Sequence, residues 1–218
     1  MRKLLLILFI LCASISIHAQ IQKGSVFLGG NLSVGIQKSK LGNSTSFKQS
    51  GVSISPVYGK FIKDNLVLGG EAGFSYNHEE SPQGYERNAD TYSAGVFLRN
   101  YKRIGSGGFY LFIQGGLRVS HMEEDRINQS GMGSIQNTKR LSATINSYPG
   151  ISYAVSRKFH LELAFMDVVN LNYYREKSRE EIPSTPSVPV KTTGFYAASS
   201  LNSAGSYLYL GFRVLLHK

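Results

Sequence analysis

Apolar side chains recur at every second position in short segments along most of the chain. The clearest segment is 206–216, and its apolar face consists of Leu208, Leu210, Phe212, Val214 and Leu216. Because successive side chains of a β-strand point to opposite faces, a period of two predicts strands. Five segments carry the pattern well, and they are 25–36, 66–78, 108–120, 158–169 and 206–216.

Three further segments alternate less regularly, but they lie where an antiparallel meander needs its remaining strands. They are 51–62, 89–101 and 140–153. Each is bounded by polar or glycine-containing stretches, as strands usually are. With the five clear segments they give eight strands, and we predict an all-β protein in which consecutive strands pair antiparallel.

The connections between the predicted strands alternate in length. The long, polar ones are 37–49, 78–89, 121–139 and 170–204. The tight ones are 63–65, 102–107 and 156–157. Transmembrane barrels of bacteria combine this asymmetry with an even strand number and strands of roughly 9–11 residues. The pattern therefore predicts an eight-stranded antiparallel up-and-down transmembrane β-barrel with four long outer loops and three short periplasmic turns.

A soluble eight-stranded barrel of the lipocalin type is the competing architecture, and it would turn its apolar faces inward. The opposite faces of the strands would then form the solvent surface and should carry abundant Lys and Glu. Those faces carry mainly Gly, Ser, Tyr and Asn, with a few isolated charges. This composition suits a narrow polar lumen and favours the transmembrane barrel.

The first residues have the layout of a secretory signal peptide, because two basic residues precede the apolar run 4–11 and small residues follow it. The run is too short to span a hydrocarbon layer of roughly 30 Å. We predict a signal peptide over 1–19 and a single outer-membrane barrel domain over 20–218. Cys12 is the only cysteine, so the mature chain would hold neither a disulfide nor a thiolate metal site.

The formal net charge is +10, and the loss of Arg2 and Lys3 with the signal peptide would leave +8. A basic chain can indicate nucleic acid, but these basic residues are scattered through turns and loops, and an exported protein leaves the cytosol. Outer-membrane lipids and the phosphates of lipopolysaccharide are the better partners for this charge, with ordinary solvated loop charge as the alternative. We expect no nucleic-acid partner.

Four stretches along the chain are 55–69, 96–101, 149–153 and 210–214, and the first runs through Gly, Tyr, Phe and an Asp-Asn pair in a strand-turn-strand order. In this order they resemble the outer-membrane β-barrel domain proteins of Gram-negative bacteria, the small porin-like or OmpA/OmpW-like barrels. The resemblance implies an outer-membrane location and assembly by the barrel-assembly machinery. It leaves the activity open, because similar proteins include structural proteins, adhesins, small channels and a few lipid-modifying enzymes. The chain departs from the family in ending on His-Lys instead of an aromatic residue.

Alternation assigns a set of polar and charged side chains to the face opposite the lipid. Charges in a narrow lumen must be paired, because an isolated buried ion costs several kcal/mol. We predict an internal network in which arginine side chains bridge Glu71 and Glu162. A polar core that plugs the barrel is the first interpretation, and an ion pathway is the second. The set consists of Glu71, Arg99, Gln114, Arg118, His160, Glu162 and Arg213.

His160 and Glu162 share a strand face, and a serine from another strand would complete a hydrolase-like set. No Gly-x-Ser-x-Gly elbow and no His-Glu-x-x-His pair accompanies them. The run 121–125 offers imidazole and carboxylate ligands to a cation, although an acidic loop tip is usually only solvated. We predict no catalytic residue, no metal and no cofactor.

These observations favour a non-enzymatic outer-membrane barrel with a structural, adhesive or transport-related role. The outer loops 121–139 and 170–204 are the expected partner-binding surfaces, because exposed loops carry function on barrel scaffolds. A lipid-acting barrel enzyme and a soluble lipocalin-like binding barrel are the alternatives.

Overall fold

The alternating segments form β-strands in the computed structural model, which describes residues 23–41, 44–81, 84–129, 133–165, 168–183, 186–199 and 208–216. The predicted signal peptide, 1–19, lies outside the described residues. No helix in the described part of the chain is long and apolar enough to cross a membrane. The strands described are β1 (Val26–Leu41), β2 (Ser44–Lys63), β3 (Leu66–Ser81), β4 (Tyr85–Ile104), β5 (Phe109–Asn128), β6 (Ser134–Ala154), β7 (Phe159–Phe165), β8 (Val169–Glu181), β9 (Val190–Ser199) and β10 (Leu208–Leu216).

The strands form one antiparallel sheet that closes on itself. Each strand from β1 to β6 pairs with the next strand along the chain, so the last of these pairs is β6 with β7. β10 then pairs with both β7 and β1, which completes a ring of eight strands. The predicted all-β, antiparallel up-and-down architecture is confirmed.

The remaining strands, β8 and β9, extend the wall upward at two of the eight strand positions, those of β7 and β10. β7 pairs with Gly150–Ala154 of β6, and β8 pairs with Ile135–Ser147 of the same strand. β9 pairs with β8, as β10 pairs with β7. The ten described strands therefore occupy eight positions in the barrel wall, because two of these positions are each divided into two strands.

Short turns join the strands at one end of the barrel, which we call the lower end. They lie at 64–65, 105–108 and 155–158, where the sequence predicts three tight turns. Asn65 at the first turn has a φ of 63°, a left-handed conformation that asparagine tolerates better than most residues. At the other end, which we call the upper end, lie the strand ends Leu41, Ser44, Ser81, Tyr85, Asn128 and Ser134.

The prediction of four long outer loops is wrong, because most of those residues continue the strands towards the upper end. The predicted loop 121–139 contains the end of β5 and the start of β6, and 170–204 contains most of β8 and all of β9. The strands remain paired there, and the pairing brings opposite charges together, such as Glu123 and Lys139. Both faces of these strand ends are polar, so hydrophobic alternation does not mark them as strands.

Side chains alternate between the lumen and the outer face of the wall. On β5, Tyr110, Phe112 and Gln114 are buried in the lumen, whereas Leu111 and Ile113 are 45% and 57% exposed outside. An apolar band follows the outer face over about nine residues per strand, from Leu28 to Ile36 on β1 and from Leu111 to Val119 on β5. This length matches the strand length that crosses a hydrocarbon layer.

Aromatic side chains fill the lumen near the lower end. Phe27 lies 6.1 Å from Phe61 between ring centroids, and Phe61 lies 6.1 Å from Tyr101. Phe112 continues the cluster at 5.8 Å from Tyr101. The core of this barrel is therefore inside the ring, and its outer surface is apolar.

Candidate functional site: the charged lumen

Four of the predicted lumen residues meet directly above the aromatic cluster. Arg99 projects from β4, Gln114 from β5, Glu162 from β7 and Arg213 from β10. The pairing of β4 with β5 places Arg99 opposite Gln114. The pairing of β7 with β10 places Glu162 and Arg213 on the same side of the wall, two residues apart in register, and this side faces the lumen. All four side chains are buried.

Glu162 lies between two guanidinium groups. Arg99 Nη1 donates to Oε1 and Oε2 of Glu162 at 2.7 and 2.9 Å. Arg213 Nη2 lies 3.1 Å from Oε2 of the same carboxylate. Tyr101 donates its hydroxyl to Oε1 at 3.0 Å, and Arg99 Nε donates to Gln114 Oε1 at 2.8 Å. The carboxylate is therefore paired on both of its oxygens.

One negative and two positive side chains leave an excess of positive charge in this cluster, and aromatic faces surround it. Arg99 Cζ lies 4.3 Å from the centroid of Phe112 and 5.7 Å from that of Phe97. Phe27 lies 5.7 Å from the Cζ atoms of both arginines. Guanidinium groups are attracted to the negative faces of aromatic rings, so the rings help to accommodate the second cation.

Glycine makes the room that Arg213 needs. A Cβ atom on Gly29 would lie 2.6 Å from Cδ of Arg213, and one on Gly211 would lie 3.3 Å from its Nη1. The long side chain of Arg213 lies along β1 and donates to the carbonyl oxygen of Gly30 at 3.3 Å. We call Arg99, Gln114, Glu162 and Arg213, with Tyr101, the lumen plug, because they are buried in contact with one another inside the lower barrel.

Glu71 and Arg118 form a separate pair nearer the upper end. Arg118 donates to Oε1 of Glu71 from Nε at 2.8 Å and from Nη2 at 2.6 Å. The Arg118 side chain is 39% exposed, in contrast to the plug. The structure thus gives Glu71 and Glu162 different arginine partners, whereas the sequence predicts one network that joins the two carboxylates.

His160 lies below the plug beside a serine of the neighbouring strand. Its Nδ1 is 3.2 Å from Oγ of Ser152, and its ring centroid is 5.8 Å from that of Tyr110. Both His160 and Ser152 are buried. The pair has the components of a nucleophile and a base, a hydroxyl beside an imidazole.

Hydroxyl groups line the lumen above the plug, which sequence analysis missed. They surround a cavity of about 240 Å³ that is bordered by Arg118 and by Ser53, Ser55, Ser75, Thr91, Ser93 and Ser120. The available signal was the hydroxyl residues at alternate lumen-facing positions of two strands, Ser53 and Ser55 on β2 and Thr91 and Ser93 on β4. We call this space the hydroxyl cavity.

A second buried charge lies above the hydroxyl cavity. Glu124 is 2% exposed and accepts a hydrogen bond from Arg87 Nε at 2.7 Å, with Arg126 Nε at 2.5 Å on its other oxygen. Arg87 also pairs with Glu79 at 2.8 Å. The run 121–125, predicted as an acidic loop tip, is part of β5. No group of three or more His, Cys, Asp or Glu side chains in the described residues could hold a metal ion.

No protein-family model matches the sequence, and no curated protein matches it. Two of the solved structures with a similar fold are outer-membrane proteins. A major outer membrane protein from Thermus thermophilus is 10% identical, with a TM-score of 0.50 over 88% of this chain and 99% of that one. The outer membrane protein OprG from Pseudomonas aeruginosa is 13% identical, with a TM-score of 0.50 over 94% of this chain and 100% of that one. The chain therefore has the fold of outer-membrane β-barrels.

Proposed function

We propose that the protein is a non-enzymatic barrel of the outer membrane, exported by a cleaved signal peptide, 1–19, and inserted by the barrel-assembly machinery. Its role is structural or adhesive: the lower barrel fixes the chain in the membrane, and the upper strand ends extend beyond it. The lumen plug is the observation that carries this proposal. A cross-section filled by buried side chains leaves no continuous water path.

The distribution of apolar residues supports the membrane location. Large apolar side chains such as Leu32, Ile113 and Leu210 are more than half exposed on the outer wall, and a water-soluble protein rarely exposes so continuous an apolar surface. A lipocalin-like barrel would place these faces around a ligand cavity. Here the interior holds paired charges and aromatic rings, so the soluble alternative finds no support.

The experiment that tests the proposal begins with the mature chain folded in detergent. We expect a strand-rich circular dichroism spectrum and a band that migrates differently on a gel before and after heating. The same preparation in a planar bilayer should show no steady conductance. An unshifted band from a protein that is soluble without detergent would contradict the membrane barrel, and steady channel openings would contradict the plug.

A transport role is the second candidate, and the strand edges left unpaired among the described residues of the upper wall favour it. On β1, the described part of β10 pairs with Val26–Asn31 and with no residue above them. Among the described residues, β9 pairs with β8 alone, and the upper part of β1 pairs with β2 alone. The hydroxyl cavity lies at this level. Release of a trapped small solute from proteoliposomes, in the absence of electrical conductance, would favour transport over a purely structural role.

A further inference from the structure

Three lysines of three neighbouring strands lie side by side on the outer wall. Lys139 of β6 is directly opposite Lys177 of β8, and Lys177 is directly opposite Lys191 of β9. All three are exposed. Like charges directly opposite each other destabilise a sheet, so an anion bound to this row would offset their repulsion.

Two arginines of β8 extend this row above and below. Arg175 and Arg179 occupy the next outward positions of the strand on either side of Lys177, and both are exposed. We call these five residues, Lys139, Arg175, Lys177, Arg179 and Lys191, the cationic patch. Four of them, Lys139, Arg175, Lys177 and Lys191, border an open depression of about 400 Å³. Its other lining residues are His121, Leu141, Glu176, Thr192 and Thr193.

Few acids neutralise the cationic patch. Glu123 accepts a hydrogen bond from Lys139 Nζ at 2.8 Å, and Glu181 is the one acidic residue at an outward position of β8 within the described chain. Glu176 is on the lumen side, where Arg140 Nε donates to it at 2.6 Å. The cationic patch therefore keeps an excess of positive charge.

The other side of the barrel differs at the same height. There Lys48 forms an ion pair with Glu80, and Glu86 and Asp90 lie on the neighbouring strand. The positive charge is thus concentrated on the wall of β6, β8 and β9, instead of forming a uniform ring around the upper end.

The cationic patch lies directly above the apolar band. Tyr173 lies two residues below Arg175 on β8 and directly opposite Phe195 of β9. Tyr173 accepts a hydrogen bond from Arg175 Nε at 2.9 Å, and Phe195 is 67% exposed. Aromatic residues at this level are typical of the membrane–water interface.

We propose that the cationic patch binds the phosphate groups of a lipid in the outer leaflet, with the acyl chains of that lipid packed against Tyr173, Phe195 and Leu141. This inference rests on the proposed outer-membrane location and adds a ligand to it. Phosphate fits the lysine row because it accepts several hydrogen bonds at once. The apolar side chains below the row fit a lipid and not a free phosphate ion.

The test uses the mature chain folded in dodecyl maltoside and titrated with dioctanoyl phosphatidic acid, with dioctanoylglycerol and with inorganic phosphate. We expect only the first probe, dioctanoyl phosphatidic acid, to bind, with a Kd in the low-millimolar range or below. The variant Lys139→Gln/Lys177→Gln/Lys191→Gln should bind it at least about tenfold more weakly, because each cation near a lipid phosphate contributes appreciably. Glu123→Gln should bind it more tightly, because it releases Lys139.

The matched control is Lys38→Gln/Lys48→Gln/Lys60→Gln, which removes the same charge from the outer wall of β1 and β2 and should bind like the wild type. Equal affinity of the wild type and the β6–β8–β9 triple variant would overturn the inference, and so would inorganic phosphate binding as tightly as the lipid. Heat-modifiable migration is recorded for every variant. A chain that is soluble without detergent would refute the proposed function itself, whereas a folded barrel without a binding difference would refute only the lipid site.

Discussion

Arg99 and Glu162 join two strands that are not neighbours in the barrel wall. The Arg99 guanidinium on β4 contacts both carboxylate oxygens of Glu162 on β7, and both side chains are 0% exposed. Arg213 reaches the same carboxylate from β10. Three positions of the ring are thus held together across the lumen by one carboxylate.

The first prediction concerns that carboxylate. Glu162→Ala should lower the free energy of unfolding by about 3–5 kcal/mol, because two buried guanidinium groups lose their counter-ion. Glu71→Ala is the matched control, since Arg118 is partly exposed, and it should cost roughly 1 kcal/mol or less. Urea titration of both variants in phospholipid vesicles measures the difference. Equal losses would mean that the plug does not depend on Glu162.

The second prediction concerns the packing of the lower lumen. A Cβ atom on Gly59 would lie 2.6 Å from Cγ1 of Val67 and 2.8 Å from the ring of Phe27. Gly59→Ala should therefore destabilise the barrel by about 1–3 kcal/mol through overpacking. Gly35→Ala on β1 is the control, because no atom lies within 4 Å of its Cβ position. Thermal unfolding in detergent should separate the two variants, and equal stabilities would contradict a tightly packed lumen.

The third prediction concerns pH. The hydrogen bond from Lys139, followed by that of His121, lowers the pKa of Glu123, and the bond to Glu123 raises the pKa of Lys139. The carboxylate therefore stabilises the fold above its unfolded-state pKa, and this stabilisation is lost as the pH falls through the folded value. The lysine contribution is present below its unfolded-state pKa and is lost as the pH rises through the folded value.

Carbon NMR of the Glu123 carboxyl group measures this effect. We expect its titration midpoint to lie below that of an unpaired glutamate, and Lys139→Gln should move the midpoint upward. Lys177→Gln removes a neighbouring charge without removing the hydrogen bond, and it should move the midpoint less. A midpoint that Lys139→Gln leaves unchanged would show that the pair does not form.

The fourth prediction concerns orientation in the membrane. The mature chain would lack cysteine once Cys12 is removed, so single cysteines can report exposure. Asn137→Cys lies at the exposed upper end, and a membrane-impermeant maleimide should label it in intact cells. Ser106→Cys lies in a turn of the lower end and should react only after the outer membrane is broken. The reverse result would place the lower end outside the cell.

Hydrophobic alternation identified the parts of the strands that carry the outer apolar band, because only there do the two faces of the wall differ in polarity. It therefore placed Glu162, Arg99 and Arg213 on the lumen side of the strands. It could not tell which carboxylate pairs with which arginine, since the partners of Glu162 come from strands far apart in the sequence. That choice depends on how the ring closes.

Above the apolar band the signal disappears. His121, Glu123 and Asp125 face outward while Glu124 is buried, yet all are polar, so the segment resembles a loop. The buried state of Glu124 depends on Arg87 of the preceding strand. That ion pair follows from the register of β4 against β5, and the sequence of a single segment does not specify this register.

The pairing of β1 with β10 also has a consequence for the rate of folding. Val26 pairs with Leu216, so the ring cannot close before nearly the whole chain has been delivered. Until then, two strand edges carry unpaired backbone groups that hydrocarbon cannot satisfy and that can pair with other chains. Contacts between such distant residues form slowly. We therefore expect the joining of β1 with β10 to be a late and slow step of folding.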